Sequence, residues 1–312
     1  MPSQHNFTEE PFSGDNIKEI HQLFEKDAGL YSIPLESFKN ASINDPDFDP
    51  EFSMAFRDED GRILAAFMGL KRTTKITILK REVNYKFSII NLFVVARQYR
   101  RKGIGSAILS ELLHRMKKRR IRRVRVMSSP PNYLWPGLDP RYTAAYFFLK
   151  KNKFKRKGKE HVNLVHEIPN KLQEPAKKLG EYTFTRINSS DIESTKDYIK
   201  SNHMGMWPKE FQFSINNKPF TTFIAKDGSG EVIGFASHSI GFPGSFGPTG
   251  VKKSVRGKGI GGILLKWCVW DLKQQGIEQM IIRWVVGDTM KFYCKSLGAR
   301  IDHVYWNMKR RI

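Results

Sequence analysis

Apolar positions along this chain follow two periods, and the periods alternate. From Ile104 the apolar residues Ile108, Leu112 and Met116 recur every four positions through "GIGSAILSELLHRMKK", the spacing of one buried helix face. "GILLKWCVWDLKQQG" does much the same with Ile263, Leu264, Trp267 and Trp270, and Gly276 stands where a helix C-cap belongs. Around these helices the period drops to two. Arg123 and Arg125 alternate with Val124 and Val126, as in a strand with one wet face. "AFRDEDGRILAAFMGL" and "FIAKDGSGEVIGFASHSI" each predict a strand, an Asp/Gly turn and a second strand. Ser190 and Glu193 have capping-box spacing at a helix start.

The whole pattern occurs twice. Placing Arg100 on Arg256 lays "RRKGIG" on "RGKGIG" and the strand Val124–Val126 on Met280–Ile282. The hairpins upstream match in the same order, as do "AAYFFLKKNKF" and "TMKFYCKSLGA" downstream, so a duplicated domain is expected. Each half predicts a strand and helix, a hairpin, a longer strand, a glycine loop, a helix, a strand, a short helix and a last strand. The polar stretch "EIPNKLQEPAKKLGEY" separates them. The domains are therefore expected at 5–168 and 182–312, with 169–181 as a linker, in an α/β (α+β) fold.

Charge and composition narrow the class. The chain of 312 residues carries a net charge of +22, and 40% of it is hydrophobic, enough for packed cores. From Arg100 to Glu160 there are 19 Lys and Arg against three acids, whereas residues 1–50 hold three basic and ten acidic side chains. Such a basic run is a solvated face or a field for a polyanion: a nucleotide, an RNA or an anionic membrane. The two cysteines, Cys268 and Cys294, form no disulfide framework, and no Cys/His cluster has metal-ligand spacing, so no metal is expected. The polar, acidic start is not that of a signal peptide, and the longest apolar run, "FSIINLFVVA", is too short to span a bilayer. A soluble, cytoplasmic protein is expected.

The chemistry concentrates in "SVRGKGIGGILL". No Walker loop is present. Gly257, Gly259 and Gly262 satisfy a dinucleotide fingerprint, but the polar "KKSVR" precedes them and the first copy does not repeat it. Both copies do share R-x-x-G-x-G between a strand and an amphipathic helix. There, free N–H groups at a helix start would face a pyrophosphate. Gly259 and Gly261 have no side chain to block it, and Arg256 and Lys258 add positive charge. Arg101, Lys102, Gly103 and Gly105 match them in the first half. The alternative for Gly105 and Gly261 is close helix–strand packing alone.

This strand, loop and helix resemble the acyl-CoA loop of the GCN5-related N-acetyltransferase (GNAT) superfamily. The duplicated halves resemble a tandem member of it, over roughly residues 10 to 312. The resemblance implies two GNAT folds, each a mixed, mostly antiparallel sheet flanked by helices, and acetyl-CoA as co-substrate. It implies that Arg256, Gly257, Lys258, Gly259, Ile260 and Gly261 bind the pyrophosphate, as do Arg100, Arg101, Lys102, Gly103, Ile104 and Gly105 in the first half. Amides near Gly250 and Val251 would hold the acyl carbonyl, with Val94 and Val95 as their counterparts. Tyr293 would be the general acid. The first half has Phe148 there, with Tyr146 pointing elsewhere, so the chemistry is expected in the carboxy-terminal half. His238 and Asp288 are candidate bases. Cys294 is expected to be a buried, inert thiol.

The acceptor is expected to be a primary amine, small molecule or peptide, in a pocket drawing on "HMGMWPKEF" and "SSPPNYLWPGLD". Met204, Met206 and Trp207 would line that cleft or form core under a loop. The competing readings are a transferase with another acyl or aminoacyl donor, or a non-catalytic acyl-CoA- or RNA-binding module gripping RNA through "KKRRIRRVRV". That segment also has local uses, because cations complement a helix C-terminus, and it lacks the aromatics that single-strand binding needs.

Overall fold

The computed structural model describes residues 7–28, 30, 32–78, 81–127, 133–202 and 207–312, with the backbone alone over 74–78 and 81–85. The chain divides into two compact units. One runs to Lys159 and takes back Tyr305–Ile312; the other is Glu160–Val304. The boundary drawn from the sequence at 168 leaves "HVNLVHEI" with the first half, whereas its strand is hydrogen-bonded into the second unit's sheet.

The first unit is built from β1 (Thr8–Pro11), α1 (Ile17–Asp27), α2 (Leu35–Asn40), β2 (Met54–Arg57), β3 (Ile63–Ile78), β4 (Arg81–Val95), α3 (Ile104–Lys118), β5 (Arg123–Val126), α4 (Thr143–Lys151) and β6 (Lys155–Arg156). The second has β7 (His161–Glu167), β8 (Lys178–Leu179), β9 (Tyr182–Arg186), α5 (Ile192–Asn202), α6 (Trp207–Ser214), β10 (Thr222–Lys226), β11 (Val232–His238) and β12 (Ser245–Val251). It continues through α7 (Ile260–Gln274), β13 (Gln279–Val285), α8 (Thr289–Leu297) and β14 (Arg300–Tyr305). The chain then returns to the first sheet as β15 (Met308–Arg311).

The sheet orders are β1-β2-β3-β4-β5-β15-β6 and β14-β7-β13-β12-β11-β10-β9-β8. Each is mixed and mostly antiparallel, with β4·β5 and β12·β13 as the parallel pairs. In the first sheet β15 lies between β5 and β6; in the second, β7 lies between β13 and β14. The two insertions are equivalent, and in each the preceding strand of the sequence belongs to the other unit's sheet. No local period encodes that exchange.

The helices cover both faces of each sheet. In the second unit α7 and α8 bury Leu264, Leu265, Leu272 and Tyr293 against Met280 and Ile282, while α5 and α6 bury Tyr198, Ile199 and Phe211 against Phe235 on the opposite face. In the first unit Ile104, Ile108, Leu112 and Met116 are buried as one stripe, as their period requires. The cap before α5 falls two residues earlier than its sequence signal. Asn188 accepts from Ser190 and donates its own amide to Asp191, forming the capping box that Ser190 and Glu193 do not. Among the described residues no helix is long and apolar enough to cross a membrane.

Candidate active site

In the second unit β12 and β13 pair only at Ser245–Ile281 and Phe246–Ile282. Beyond that point Trp284 takes a φ of 55°, a left-handed conformation that breaks a strand's line. β12 runs on to Val251 beside β11 alone. One edge of Gly247–Val251 thus offers unpaired N–H and C=O groups to the fork between the strands. Lys252 donates its amide to Ile233 of β11, so by the alternation of an antiparallel ladder Gly250 is bonded toward β11, while Val251, opposite Gly234, turns its N–H to the fork. An extended ligand lying in the fork could take the hydrogen bonds a neighbouring strand would have made.

The fork leads into the glycine loop. Gly257 and Gly259 have φ of 82° and 84°, conformations that glycine adopts at no steric cost. The amides of Gly262 and Ile263 turn back to the Gly259 carbonyl at 3.0 and 3.2 Å. Those of Ile260 and Gly261, earlier in the first turn, have no acceptor within the helix. Ile260 is buried and pins the turn. A Cβ on Gly257 would meet nothing within 4 Å, and one on Gly259 only Leu179 at 3.8 Å. The loop is therefore an open cradle of N–H donors at a helix N-terminus, which suits a pyrophosphate.

The motif's first arginine does something else. Arg256 Nε donates to the Val251 carbonyl at 3.1 Å, and Arg100 repeats this on Val95 at 2.8 Å. Both tie the loop to the end of the preceding strand through the guanidinium Nε. Lys258 Nζ donates to the Tyr182 hydroxyl at 2.9 Å.

Gly261 can be tested between its two readings. A Cβ there would sit 3.5 Å from Val251 and 3.6 Å from Phe292, ordinary contact distances. Gly261→Ala is expected to melt at or above the wild-type temperature, since Ala gains helix propensity, while KM for the acyl donor rises about fivefold as the methyl crowds the cradle. A thermal melt beside donor-titration kinetics checks both halves.

Tyr293 lies in the core formed by α7, α8 and β13, its ring edge-on to Phe246 at 5.9 Å. Phe246 is the last β12 residue paired with β13, so Tyr293 flanks the apex of the fork. Burial raises the pKa of its phenol, which keeps the proton on the oxygen at neutral pH. The counterpart in the first unit is not Phe148. A Cβ on Gly105 would touch Phe148 as one on Gly261 would touch Phe292, and Leu149 is buried as Tyr293 is. Leu149 offers no proton. Tyr146 packs its ring on Trp306 at 4.9 Å instead.

His238 is fully buried, and both its nitrogens are engaged. Nε2 is 2.9 Å from Asp271 Oδ2 and Nδ1 is 3.0 Å from Ser239 Oγ. Asp271 also pairs with Arg186 and accepts from Gln275. Neither nitrogen faces the fork with a free lone pair, so this histidine belongs to a core ion network. Burial alone would raise the Asp271 carboxyl, but His238 and Arg186 outweigh it and hold the pKa at about 2. Asp288 is exposed at the N-cap of α8 and makes no capping bond. Cys294 is exposed, not buried; Cys268 is the buried thiol.

A residue not singled out from the sequence stands on the other face. Glu210 lies on α6, which packs on β11 and β12. It shares the inward side of the helix with Trp207 and Phe211, which reach Phe235 and its cluster. Half-buried, its carboxyl is pushed up to about 7 by burial, against the pull of Arg283. Arg283 directly follows Ile282, the last β13 residue paired across the fork. Glu210 was inside "HMGMWPKEF", but a glutamate in a helix carries no sequence mark of its own burial. Met204 and Met206, and residues 128–132 of "SSPPNYLWPGLD", lie outside the described residues.

The first unit keeps the fork and the loop without the phenol. β4 pairs with β5 only over Ser88–Ile90, and Met127, with φ of 56°, ends the ladder. Val94 and Val95 follow on the length of β4 that pairs with β3 alone. Gly103 has φ of 86° with open space around its Cβ position, and Arg101 matches Gly257 with a φ of 63°. Lys102 lies over the Tyr99 ring, and Ile104 is buried. Phe93 stacks on Phe148 at 4.9 Å beside the loop.

Two mixed sheets, each with a fork between parallel strands and a glycine loop opening the next helix, define a tandem acyltransferase architecture. The model of the Acetyltransferase (GNAT) family matches residues 17–133 and 191–299, and the chain belongs to that family, whose members draw acyl groups from acyl-CoA. Solved structures share the fold. One is the GCN5-related glucosamine N-acetyltransferase region of a fungal multi-domain GH3 β-N-acetylglucosaminidase, with a TM-score of 0.78 and 16% identity over 99% of this chain. This chain spans 38% of that protein. A GCN5-related N-acetyltransferase from Sphaerobacter thermophilus has a TM-score of 0.70 and 14% identity, covering 98% of this chain and 95% of its own. A tandem GNAT protein from the clavulanic acid biosynthesis pathway gives 0.71 and 13%, covering 98% of both chains. At these identities the likeness is one of fold. No curated protein sequence matches the chain.

Proposed function

We propose that the chain is an N-acetyltransferase that moves acetyl from acetyl-CoA to a primary amine, with the chemistry in the second unit. The observation that carries this is the position of Tyr293 at the apex of the fork, where the first unit has Leu149. The thioester of a bound acetyl-CoA supplies the activated acyl group. The amides of Ile260 and Gly261 would hold the pyrophosphate, and the free N–H of Val251 on β12 would orient and polarise the acyl carbonyl, with Gly250 bonded to β11 behind it. Glu210, on the α6 face, would take the proton from the attacking amine; a carboxylate with a pKa near the working pH suits that task. Tyr293, on the α8 face, would return a proton to the leaving sulfur. The acid and the base thus reach the fork from opposite faces of one sheet. His238 would position rather than catalyse.

Tyr293→Phe keeps the buried ring and removes only the proton. It is expected to lower kcat about 100-fold while leaving KM for acetyl-CoA unchanged. An amine panel read by released thiol measures this, and unchanged kcat would remove Tyr293 from the mechanism.

A further inference from the structure

A cation stands at the apex of the second unit's fork, on the face away from Tyr293. Along β13, Met280 and Ile282 are buried toward α7 and α8. Side chains alternate along a strand, so Arg283 points to the opposite face, the one that α5 and α6 cover. It directly follows the last β13 residue paired with β12, which sets it beside the point where the two strands part. The pull of Arg283 on the Glu210 carboxyl agrees with this placement, since Glu210 belongs to α6.

The loop between β11 and β12 is shaped around this guanidinium. Arg283 Cζ stands over the Phe242 ring, 5.3 Å from its centroid. A Cβ on Gly241 would run into Arg283 Nη1, so only glycine leaves room for the guanidinium where it lies. Gly241 and Phe242 are held in turn by Ser245. Its hydroxyl accepts from their amides at 3.3 and 3.4 Å and donates to the Phe242 carbonyl at 2.7 Å. Arg283 is therefore seated before any ligand arrives, which spares binding much of the entropy of ordering a long side chain.

Glu210 is a poor counter-ion for this cation. Burial favours its neutral form, and a base that has taken the proton of an attacking amine is neutral while the reaction proceeds. The guanidinium keeps its charge throughout. A carboxyl and a guanidinium side by side complement a ligand whose amine and anion are close together. We propose that the amine acceptor carries an anionic group, a carboxylate or a phosphate, which Arg283 binds while Glu210 faces the amine. Both groups match the planar fork of a guanidinium through paired N–H donors. The inference rests on the transferase reading and narrows its acceptor: wholly cationic amines are excluded, because Arg283 repels them.

Matched acceptors test it on the full chain, with acetyl-CoA as donor and released thiol as the readout. Amino acids of graded length are compared with their amides, and aminoalkyl phosphates with the parent amino alcohols. The wild type is expected to use an anionic acceptor with kcat/KM at least about 30-fold above its neutral partner. Which series shows the preference tells carboxylate from phosphate. Arg283→Gln should raise KM for that acceptor about 30-fold, while KM for acetyl-CoA and kcat/KM for the neutral partner stay within about threefold. Gly241→Ala gives a second reading should Arg283→Gln fail to fold in a thermal melt. Its methyl displaces only the tip of the Arg283 side chain, and it should raise the same KM about tenfold with the neutral partner again unaffected. A wild type without the preference, or variants that weaken both members of a pair alike, overturns the inference and leaves the transferase reading standing. If no amine is acetylated at all, both fall together.

Discussion

Glu210→Gln should reduce the rate of acetyl transfer about 1000-fold and, in the same molecule, make the fold more stable at pH 8. The two effects share one cause. Burial favours the neutral form of this carboxyl and lifts its pKa to about 7 from an ordinary value of 4.5. Near neutral pH a large fraction is ionised and ready to accept a proton, with a driving force matched to an amine leaving its ammonium state. Glutamine keeps the shape and removes the base. The wild-type pH–rate profile should therefore show an acidic limb centred near pH 7 that the variant lacks.

The stability effect follows from linkage. The folded protein binds this proton more tightly than the unfolded chain does, so stability falls as pH rises from 4.5 to 7 and stays low above that. Glutamine does not titrate and escapes the fall, a gain of about 3 kcal/mol at pH 8. Urea unfolding of both proteins at pH 5 and pH 8 reads it directly. A variant that keeps the acidic limb, or one no more stable at pH 8, would show that Glu210 is not the base.

Asp271→Ala is expected to cost about 3–5 kcal/mol, enough to leave the second unit largely unfolded at physiological temperature. Asp271 joins Arg186, His238 and Gln275 between α7 and the sheet, and His238 has no exposed surface. Removing the carboxylate leaves a guanidinium and an imidazole without their partner inside the core. The pH dependence runs opposite to that of Glu210. The folded pKa of about 2 lies below the ordinary 3.8, so the stabilisation is complete above pH 3.8 and is lost as pH falls toward 2. The wild type should lose about 2 kcal/mol across that window on this account alone, and the variant should not. Fluorescence of Trp267, packed in the same core, follows the transition in denaturant. If Asp271→Ala unfolds at the wild-type midpoint, the network carries no stability. If instead it keeps its stability but loses activity, His238 regains its claim to a direct role.

Much of this protein is determined by short-range pattern. The periods of four and two placed α3, α7, β5 and β13, because one face of each element must be buried and the other solvated. The internal match of "RRKGIG" to "RGKGIG" located both loops and exposed the duplication, since Gly103 and Gly259 meet the same conformational demand. Tertiary structure decided the rest, for a physical reason: burial and distance are properties of what packs around a residue, not of the residue. A lone histidine in a strand looks the same whether it faces a cleft or, like His238, a buried aspartate. Glu210 differs from any surface glutamate only by the sheet beneath it. The charges of Arg123 and Arg125 suit an ordinary wet strand until β15 lays Lys309 and Arg311 beside them. That strand, arriving from the far end of the chain, completes a sheet whose other members precede it by about 150 to 300 residues, a pairing that no sequence period can announce.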